Sequence, residues 1–163
     1  MSNVIHASVD YSGSDKQAVV GKIYEDLFQD SNGNVSVRYI RLIKAKVAIT
    51  AGDLCQFVAA DALEAYTEGL GGPVTAAGTI KSLVAGVAVA DIAQDEFGFV
   101  VCRGVVESAK ATGLSEGDEI ASTSTLGEVG ALTISSAGDS RKVLGVALTA
   151  TASSASTVYI NVL

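Results

Sequence analysis

Catalytic residue types are scarce in this chain of 163 residues, which contains a single histidine, His6. No motif places a partner beside His6, so we expect it to be solvated, and this argues against histidine-based triads and most transition-metal sites. The sequence has no GxSxG, HExxH or EF-hand pattern. Its segment 21–23 (Gly-Lys-Ile) lacks the upstream glycine and the hydroxyl of a phosphate-binding loop. We predict no enzyme activity, no catalytic residue, no cofactor and no metal.

Paired carboxylates are the next chemistry to consider, and they occur at Asp95/Glu96 and Asp118/Glu119. Each pair lies in a turn flanked by glycine, where carboxylates usually face solvent and cap backbone amides, and we favour that interpretation. A cation site and general acid–base work are the alternatives. An enzyme would need a pocket in which acids such as Asp91, Asp95 and Glu96 converge.

The two cysteines, Cys55 and Cys102, lie far apart within apolar runs and form no CxxC or Cys/His cluster. We expect two free, buried thiols from a reducing cytoplasm. The chain does not open with a signal-peptide pattern, and no apolar run reaches the roughly 18 residues that a membrane span needs. We therefore expect no membrane partner.

Charge is unevenly distributed along the chain, whose formal net charge is −7. Residues 1–46 carry six basic and five acidic side chains, whereas residues 47–163 carry five basic and thirteen acidic ones. Nucleic-acid surfaces need clustered lysine and arginine, so this balance argues against a nucleic-acid partner.

The most specific charge feature is a basic run in one strand-like segment, formed by Arg38, Arg41, Lys44 and Lys46 with Tyr39 among them. It is either the wet face of a half-buried strand or a surface that docks electrostatically on an acidic protein, such as the acidic body of a neighbouring copy. These five residues are our candidate contact residues.

Two apolar runs, 84–93 and 97–106, are separated by the polar turn Gln94-Asp95-Glu96 and predict a β-hairpin. Apolar residues occupy both alternation phases of each run, so both faces of the hairpin should be covered by protein. With strand signals and turns every 8 to 15 residues elsewhere, the sequence predicts an all-β protein. We expect a small β-barrel or β-sandwich body with this hairpin at its centre.

The N-terminal part is predicted to be an extended arm. Over residues 15–29 a helix is slightly favoured over a strand, because Ser14 and Gln17 resemble a capping box; the segment 30–34 is a strong turn. Residues 35–49 alternate like a strand with a bulge or bend near Arg41. Fifteen extended residues would span roughly 50 Å, more than a compact body of this size holds without bending or projection. We place the arm at residues 1–40 and the body at residues 41–163.

A coarse repeat runs through the body. The segment 51–54 (AGDL) is echoed at 116–119 (EGDE), and 86–89 (GVAV) at 145–148 (GVAL), with offsets of about 65 and 59 residues. In both copies a Gly-Asp turn leads into a strand, and a Gly-Val-Ala strand and a closing strand follow. Two related half-bodies would produce this pattern.

Between residues 47 and 163 the order of motifs is AGDL (51–54), GVA (86–88), GFVVCRGVV (98–106), GD (117–118), VLGVAL (143–148) and the terminal VYINVL. This order resembles the capsid cement, or decoration, proteins of tailed bacteriophages. The resemblance implies a compact β-barrel-like body that assembles as a homotrimer on the outer surface of the phage head. It implies no catalytic residue.

From this resemblance we expect a structural virion protein, made in the host bacterial cytoplasm, that binds the major capsid protein. It would stabilise the expanded shell by bridging capsid subunits, with Arg38, Tyr39, Arg41, Lys44 and Lys46 as capsid or inter-subunit contacts. The alternative is a β-sandwich of a phage head fibre that binds carbohydrate or a host surface. The absence of Trp from the sequence counts against sugar stacking.

Overall fold

The computed structural model describes residues 12–14, 20–58, 69–133 and 139–163. Strands account for 52% of these described residues and form a single sheet that closes into a partial ring. The all-β class predicted from the sequence is thereby confirmed, although the ring is not a closed barrel. The strands are β1 (Ser12–Gly13), β2 (Ile23–Gln29), β3 (Val35–Ala45), β4 (Leu54–Phe57), β5 (Leu70–Pro73), β6 (Val84–Ala88), β7 (Phe97–Thr112), β8 (Glu119–Ser122), β9 (Val129–Ala131), β10 (Gly145–Ala147) and β11 (Ala155–Asn161).

The predicted central hairpin is present as β6 and β7. These strands pair antiparallel, with Val87 opposite Val101 and Ala88 opposite Val100. Every residue of β6 is buried, and β7 is buried continuously from its second to its sixth residue. Both faces of the hairpin are covered, as the two apolar alternation phases predicted. Strand β7 also pairs with β3 through residues 97–103. Because it continues to Thr112, it pairs with β11 and β9 as well and joins the two parts of the sheet.

The helix slightly favoured over residues 15–29 is wrong for residues 23–29, which form β2 instead. Strand β2 pairs antiparallel with β3 along its whole length, and the predicted 30–34 turn joins them. In this turn, Asp30 Oδ1 accepts hydrogen bonds from Asn32 N and Asn34 N, and the bonds from Asn34 lower the pKa of Asp30. Pairing with a neighbouring strand outweighed the local capping signal. Residues 15–19 lie outside the described part.

Strand β3 bends close to the predicted position. Its register against β7 shifts between Tyr39 and Ile40, and the strand ends at Ala45 rather than at Ile49. The β2–β3 hairpin lies along the body instead of standing free, since Ser31 N donates to Glu107 Oε1 of β7 at 2.7 Å. The boundary between arm and body at residue 40 stays a prediction, and residues 1–11 lie outside the described part.

The predicted repeat appears in the topology as two overlapping halves. In the first half, β4 pairs antiparallel with β5 and β6, β5 lies parallel to β3, and β6 leads into β7. In the second half, β8 pairs antiparallel with β9 and β10, β9 lies parallel to β7, and β10 leads into β11. Strand β7 closes the first half and opens the second.

The two Gly-Asp turns that begin these halves make the same hydrogen bonds. Thr50 N donates to Asp53 Oδ2 at 2.9 Å, and Ser115 N donates to Asp118 Oδ2 at 2.8 Å. The glycine before each aspartate has a positive φ, +87° in the first turn and +90° in the second. The Gly-Val-Ala strands return to these turns in the same way: Ala88 N donates to Asp53 O and Ala147 N to Asp118 O, each at 2.9 Å.

Two apolar clusters lie on opposite faces of the sheet. The larger one collects side chains from both halves, among them Ile40, Phe99 and Ile160. The smaller one contains residues of the first half and of the loops within it: Ile43, Ala45, Ile49, Cys55, Ala85, Ala88, Ile92 and Val100. The first half is therefore covered on both faces, and the second half is packed on one face.

Candidate functional site

Arg38, the first of the predicted contact residues, lies on the core side of the β2–β3 hairpin. Its side chain is 9% exposed, and its Nε donates to Asp26 Oδ2 at 2.6 Å. The guanidinium carbon lies 4.4 Å from the centroid of the Phe28 ring. This buried ion pair and ring contact hold Arg38 within the protein, so its position gives it a structural role inside the hairpin.

Tyr39 and Arg41 lie on the opposite face of β3, since successive side chains of a strand alternate. Both are half-buried. The guanidinium carbon of Arg41 is 5.1 Å from the centroid of the Phe57 ring, and its buried Nε has no hydrogen-bond partner among the described residues. Tyr39 contacts Arg103, whose guanidinium carbon is 5.6 Å from the centre of the tyrosine ring.

Lys44 and Lys46 lie at the end of β3, away from the 30–34 turn. Lys46 is exposed, and Lys44 Nζ is 6.0 Å from the centroid of the Phe97 ring. Strand β1 reaches this same end, because Gly13 and Lys44 both pair with Phe97. We call this region, formed by β1, residues 44–48 and residues 94–97, the Lys46 end. The candidate contacts thus divide between the hairpin interior, one sheet face and one sheet end.

An apolar face that the sequence did not predict spans the outer side of the β2–β3 hairpin. Leu27 and Val37 are direct cross-strand neighbours, and they are 76% and 49% exposed. Val35 is 66% exposed on the same side. The face continues over β7, β11 and β10, where the side chains opposite the core are half-buried or exposed. We call it the open face and define it by Ile23, Leu27, Val35, Val37, Tyr39, Arg103, Val105, Val146 and Tyr159.

An arginine between two tyrosines occupies the middle of the open face. Arg103 pairs across the strands with Tyr39 of β3, and its Nε donates to Tyr159 OH of β11 at 3.3 Å. This hydrogen bond is the main reason that the pKa of Arg103 is raised. Arginine and tyrosine are enriched in protein interfaces, where they dominate binding energy. A strand face that bears these residues beside exposed Leu and Val is suited to bind protein.

The sequence signal for the open face was present but ambiguous. Alternation in β3 placed Val35 and Val37 on the same apolar phase as Ile43 and Ala45. The structure exposes Val35 and Val37, buries Ile43 and Ala45, and also buries Ile40 and Leu42 of the other phase. The apolar switch at residues 40–42 could have indicated that both sides of β3 carry apolar residues. Arg103 and Tyr159 belong to distant strands, so only the fold shows that they meet Tyr39.

Three of the acidic residues considered for catalysis, Asp91, Glu96 and Asp118, accept hydrogen bonds. Asp91 Oδ1 accepts from Ala51 N at 2.8 Å, and Glu96 Oε2 accepts from Ser12 Oγ at 3.0 Å. Asp118 caps the second Gly-Asp turn as described above. No group of three metal-ligating side chains occurs among the described residues.

Both cysteines are free and buried, as predicted. Burial is the largest cause of a raised pKa for each thiol, and for Cys55 the nearby Asp53 carboxylate adds to it. A raised pKa lowers the fraction of reactive thiolate. Within the described ranges, no helix has the length and apolar character of a membrane span. His6 lies outside those ranges.

The comparisons with known proteins place this fold among structural proteins of phage heads. A solved structure of the head fiber gp8.5 N base in bacteriophage phi29 matches with a TM-score of 0.52 and 16% sequence identity. The match covers 76% of this chain and 93% of the phage phi29 chain, and it shows a shared fold. The family model for phage cement proteins matches residues 31–162. The chain belongs to the phage cement protein family. No curated protein matches the sequence.

Proposed function

We propose that this protein is a capsid cement protein that binds the outer surface of a phage head as a homotrimer. It bridges major capsid protein subunits and stabilises the expanded shell. The observation that carries this proposal is the cement-family match over residues 31–162. The described surface supports this proposal, since the open face carries exposed apolar side chains and an arginine between two tyrosines. Asp91 and Asp118 accept hydrogen bonds from backbone amides in turns.

We assign capsid contact to the Lys46 end. Lys46 is exposed there, and β1 pairs with β7 at the same end of the sheet, with Gly13 opposite Phe97. In this proposal residues 1–11 reach across a joint between capsid subunits and add contact area that a globule alone lacks. Arg38 is not expected to touch the capsid, because it is buried against Asp26.

The mechanism is passive linkage. A cement protein that binds only the expanded shell shifts the shell equilibrium toward that state by mass action. Free protein at 100 times its dissociation constant would contribute about 2.7 kcal/mol at each site. Many sites on one head multiply that effect, so modest affinity at each site is sufficient to resist internal genome pressure.

The likeness to a head fibre base favours a second candidate, a fibre base or a head-fibre module that binds a host surface. The described open face has two tyrosines available for stacking, and the sequence has no Trp. Direct binding to heads separates the two candidates: cement should bind and protect bare shells, whereas a host-binding module should bind glycans or cells and leave shell stability unchanged.

The first test mixes purified protein with genome-free expanded heads and measures co-sedimentation and the temperature of shell disruption. We expect binding at fixed stoichiometry and a raised disruption temperature. Lys44→Gln/Lys46→Gln should weaken binding roughly five-fold and make it less salt-dependent, because two positive charges are lost from the proposed contact surface. Deleting residues 1–11, which leaves β1 and β2 in place, should weaken binding further.

The matched control is Lys81→Gln/Arg141→Gln, which removes two positive charges beside a different surface pocket, lined also by Val162 and Leu163. This control should bind heads like the wild type. Equal binding by the Lys44/Lys46 variant and the wild type at all salt concentrations would refute the assignment of the Lys46 end. Failure of the wild type to bind heads would refute the cement function.

A further inference from the structure

We propose that the open face is where one copy of this protein binds a second copy. The inference deepens the proposed function, because it assigns the self-association surface of the cement protein. It rests on four observations: the exposure of apolar side chains, the central Tyr-Arg-Tyr cluster, the charge of the face and its extent.

Exposure gives the driving force. Leu27 is 76% exposed and Val35 is 66% exposed, and both lie on strands whose opposite face packs on the core. Their cross-strand neighbours on this face, Val37 and Gln29, are also exposed. Contiguous apolar area on a soluble protein marks an interaction site more often than scattered single residues do.

The Tyr-Arg-Tyr cluster provides specific contacts. Arg103 lies between Tyr39 and Tyr159, and these side chains hold one another in place through the ring contact and the hydrogen bond described above. Aromatic and arginine side chains that are already ordered lose little conformational entropy on binding. Surrounding apolar residues, such as Leu27 and Val105, would exclude water from this cluster when a partner packs on it.

Charge favours a second copy over a strongly charged partner. The chain has a formal net charge of −7, yet the outer face of β2, β3 and β7 carries Glu25, Arg41 and Arg103. Two copies that meet through acidic surfaces would repel, whereas faces of mixed charge can align opposite signs. The open face is therefore a place where like molecules can approach at low electrostatic cost.

The extent of the face matches a standard interface. It crosses β2, β3, β7, β11 and β10, which are neighbours in the sheet. Five strands about 4.8 Å apart and about 20 Å long give a projected area of roughly 500 Å², which side-chain relief enlarges toward the roughly 800 Å² that each partner buries in stable complexes. A protein attached to the shell by its Lys46 end would direct this face sideways, toward a neighbouring copy.

The test compares Leu27→Glu with Leu126→Glu, a matched change at a leucine that is 52% exposed outside the open face. Light scattering after size exclusion at about 10 µM protein should show wild type and Leu126→Glu as oligomers and Leu27→Glu as a monomer. A charge inserted into the interface should weaken association by roughly 100-fold or more. Circular dichroism should show the same strand content in all three proteins.

A second variant, Arg103→Ala, tests the Tyr-Arg-Tyr cluster without adding a charge and should also shift the mass toward the monomer. The proposal is overturned when the wild type is a monomer at this concentration, or when both open-face variants keep the wild-type mass. Head binding is measured separately: oligomers that dissociate on Leu27→Glu while no variant binds heads would sustain the self-association face and refute the cement function.

Discussion

The two halves of the sheet share a backbone plan and differ in what surrounds it. Each half begins with a Gly-Asp turn in which the aspartate caps an amide three residues earlier, at 2.9 Å in the first and 2.8 Å in the second. In the first half the turn is buried beneath β7, and Asp53 is 3% exposed. Gly52, in the first turn, is also buried, whereas Gly117, its counterpart in the second turn, is exposed. The local sequence determines the conformation of each turn. The packing around the turn determines how much it contributes to the free energy of unfolding.

The same contrast extends to the sheet faces. The first half has an apolar cluster on each face, because β6 and the start of β7 are apolar in both alternation phases. Strand β11 of the second half alternates between half-buried and buried residues along its length. Its half-buried side belongs to the open face. The second half therefore leaves one face uncovered, and this face is continuous with the outer side of the β2–β3 hairpin.

The largest difference between the halves should appear on adding a methyl group to each turn glycine. Gly52→Ala would force an L-residue to φ +87° and drive its Cβ into the carbonyl oxygen of Ser108. We expect a loss of about 3 kcal/mol or more in the free energy of unfolding, measured by urea denaturation. Gly117→Ala has a similar φ, +90°, but nothing lies within 4 Å of the new Cβ. Its loss should be about 1 kcal/mol.

Equal losses for the two glycine variants would break the comparison, because they would show that backbone conformation alone determines the cost. A Gly52→Ala protein with wild-type stability would contradict the close packing of this turn under β7. Both variants should be measured at the same protein concentration, since self-association contributes to apparent stability.

A smaller difference is expected at the aspartates. Asp53 Oδ2 caps Thr50 N, and the buried Asp53 Oδ1 lies 3.5 Å from Nζ of Lys110, whose side chain is 40% exposed. Asp53→Ala would leave the amide uncapped and the lysine without its counter-charge, at a cost of about 2 kcal/mol. Asp118→Ala removes one cap in an exposed turn and should cost about 1 kcal/mol. Urea unfolding at pH 7 measures both, and a larger loss for Asp118→Ala would reverse the ranking of the halves.

The sequence predicted features whose causes are local. The Gly-Asp turns at residues 52–53 and 117–118 need a glycine at positive φ and a capping carboxylate, and both are visible in the sequence. The apolar runs 84–93 and 97–106 predicted a hairpin covered on both faces, because apolar residues occupy both alternation phases within these runs. Strand β2 was the failure, because what makes residues 23–29 a strand is pairing with β3 rather than any preference within the segment.

The binding surfaces depended on information that the sequence does not display. The basic run from Arg38 to Lys46 looked like one feature, but strand alternation and the bend at Tyr39 send Arg38 to the core side and Lys46 to a sheet end. Arg103 and Tyr159 join Tyr39 only because β7 lies between β3 and β11. Non-local strand order decides such sites, and local patterns do not encode it.

The smallest expected effect concerns the thiols, which both lie in the first half. Burial raises the pKa of Cys55 and of Cys102, so little thiolate is present at pH 8 and access is blocked as well. We expect an aromatic disulfide reagent to modify neither thiol under native conditions and to modify both across the urea unfolding transition. One fast equivalent in native protein, lost in Cys102→Ala, would show that β3 opens near Tyr39, whose carbonyl accepts from Cys102 Sγ at 3.2 Å. If one thiol reacts rapidly in native protein and this reaction is lost only in Cys55→Ala, the reagent must reach the smaller apolar cluster, which is specific to the first half. The contrast between the two halves would then be wrong.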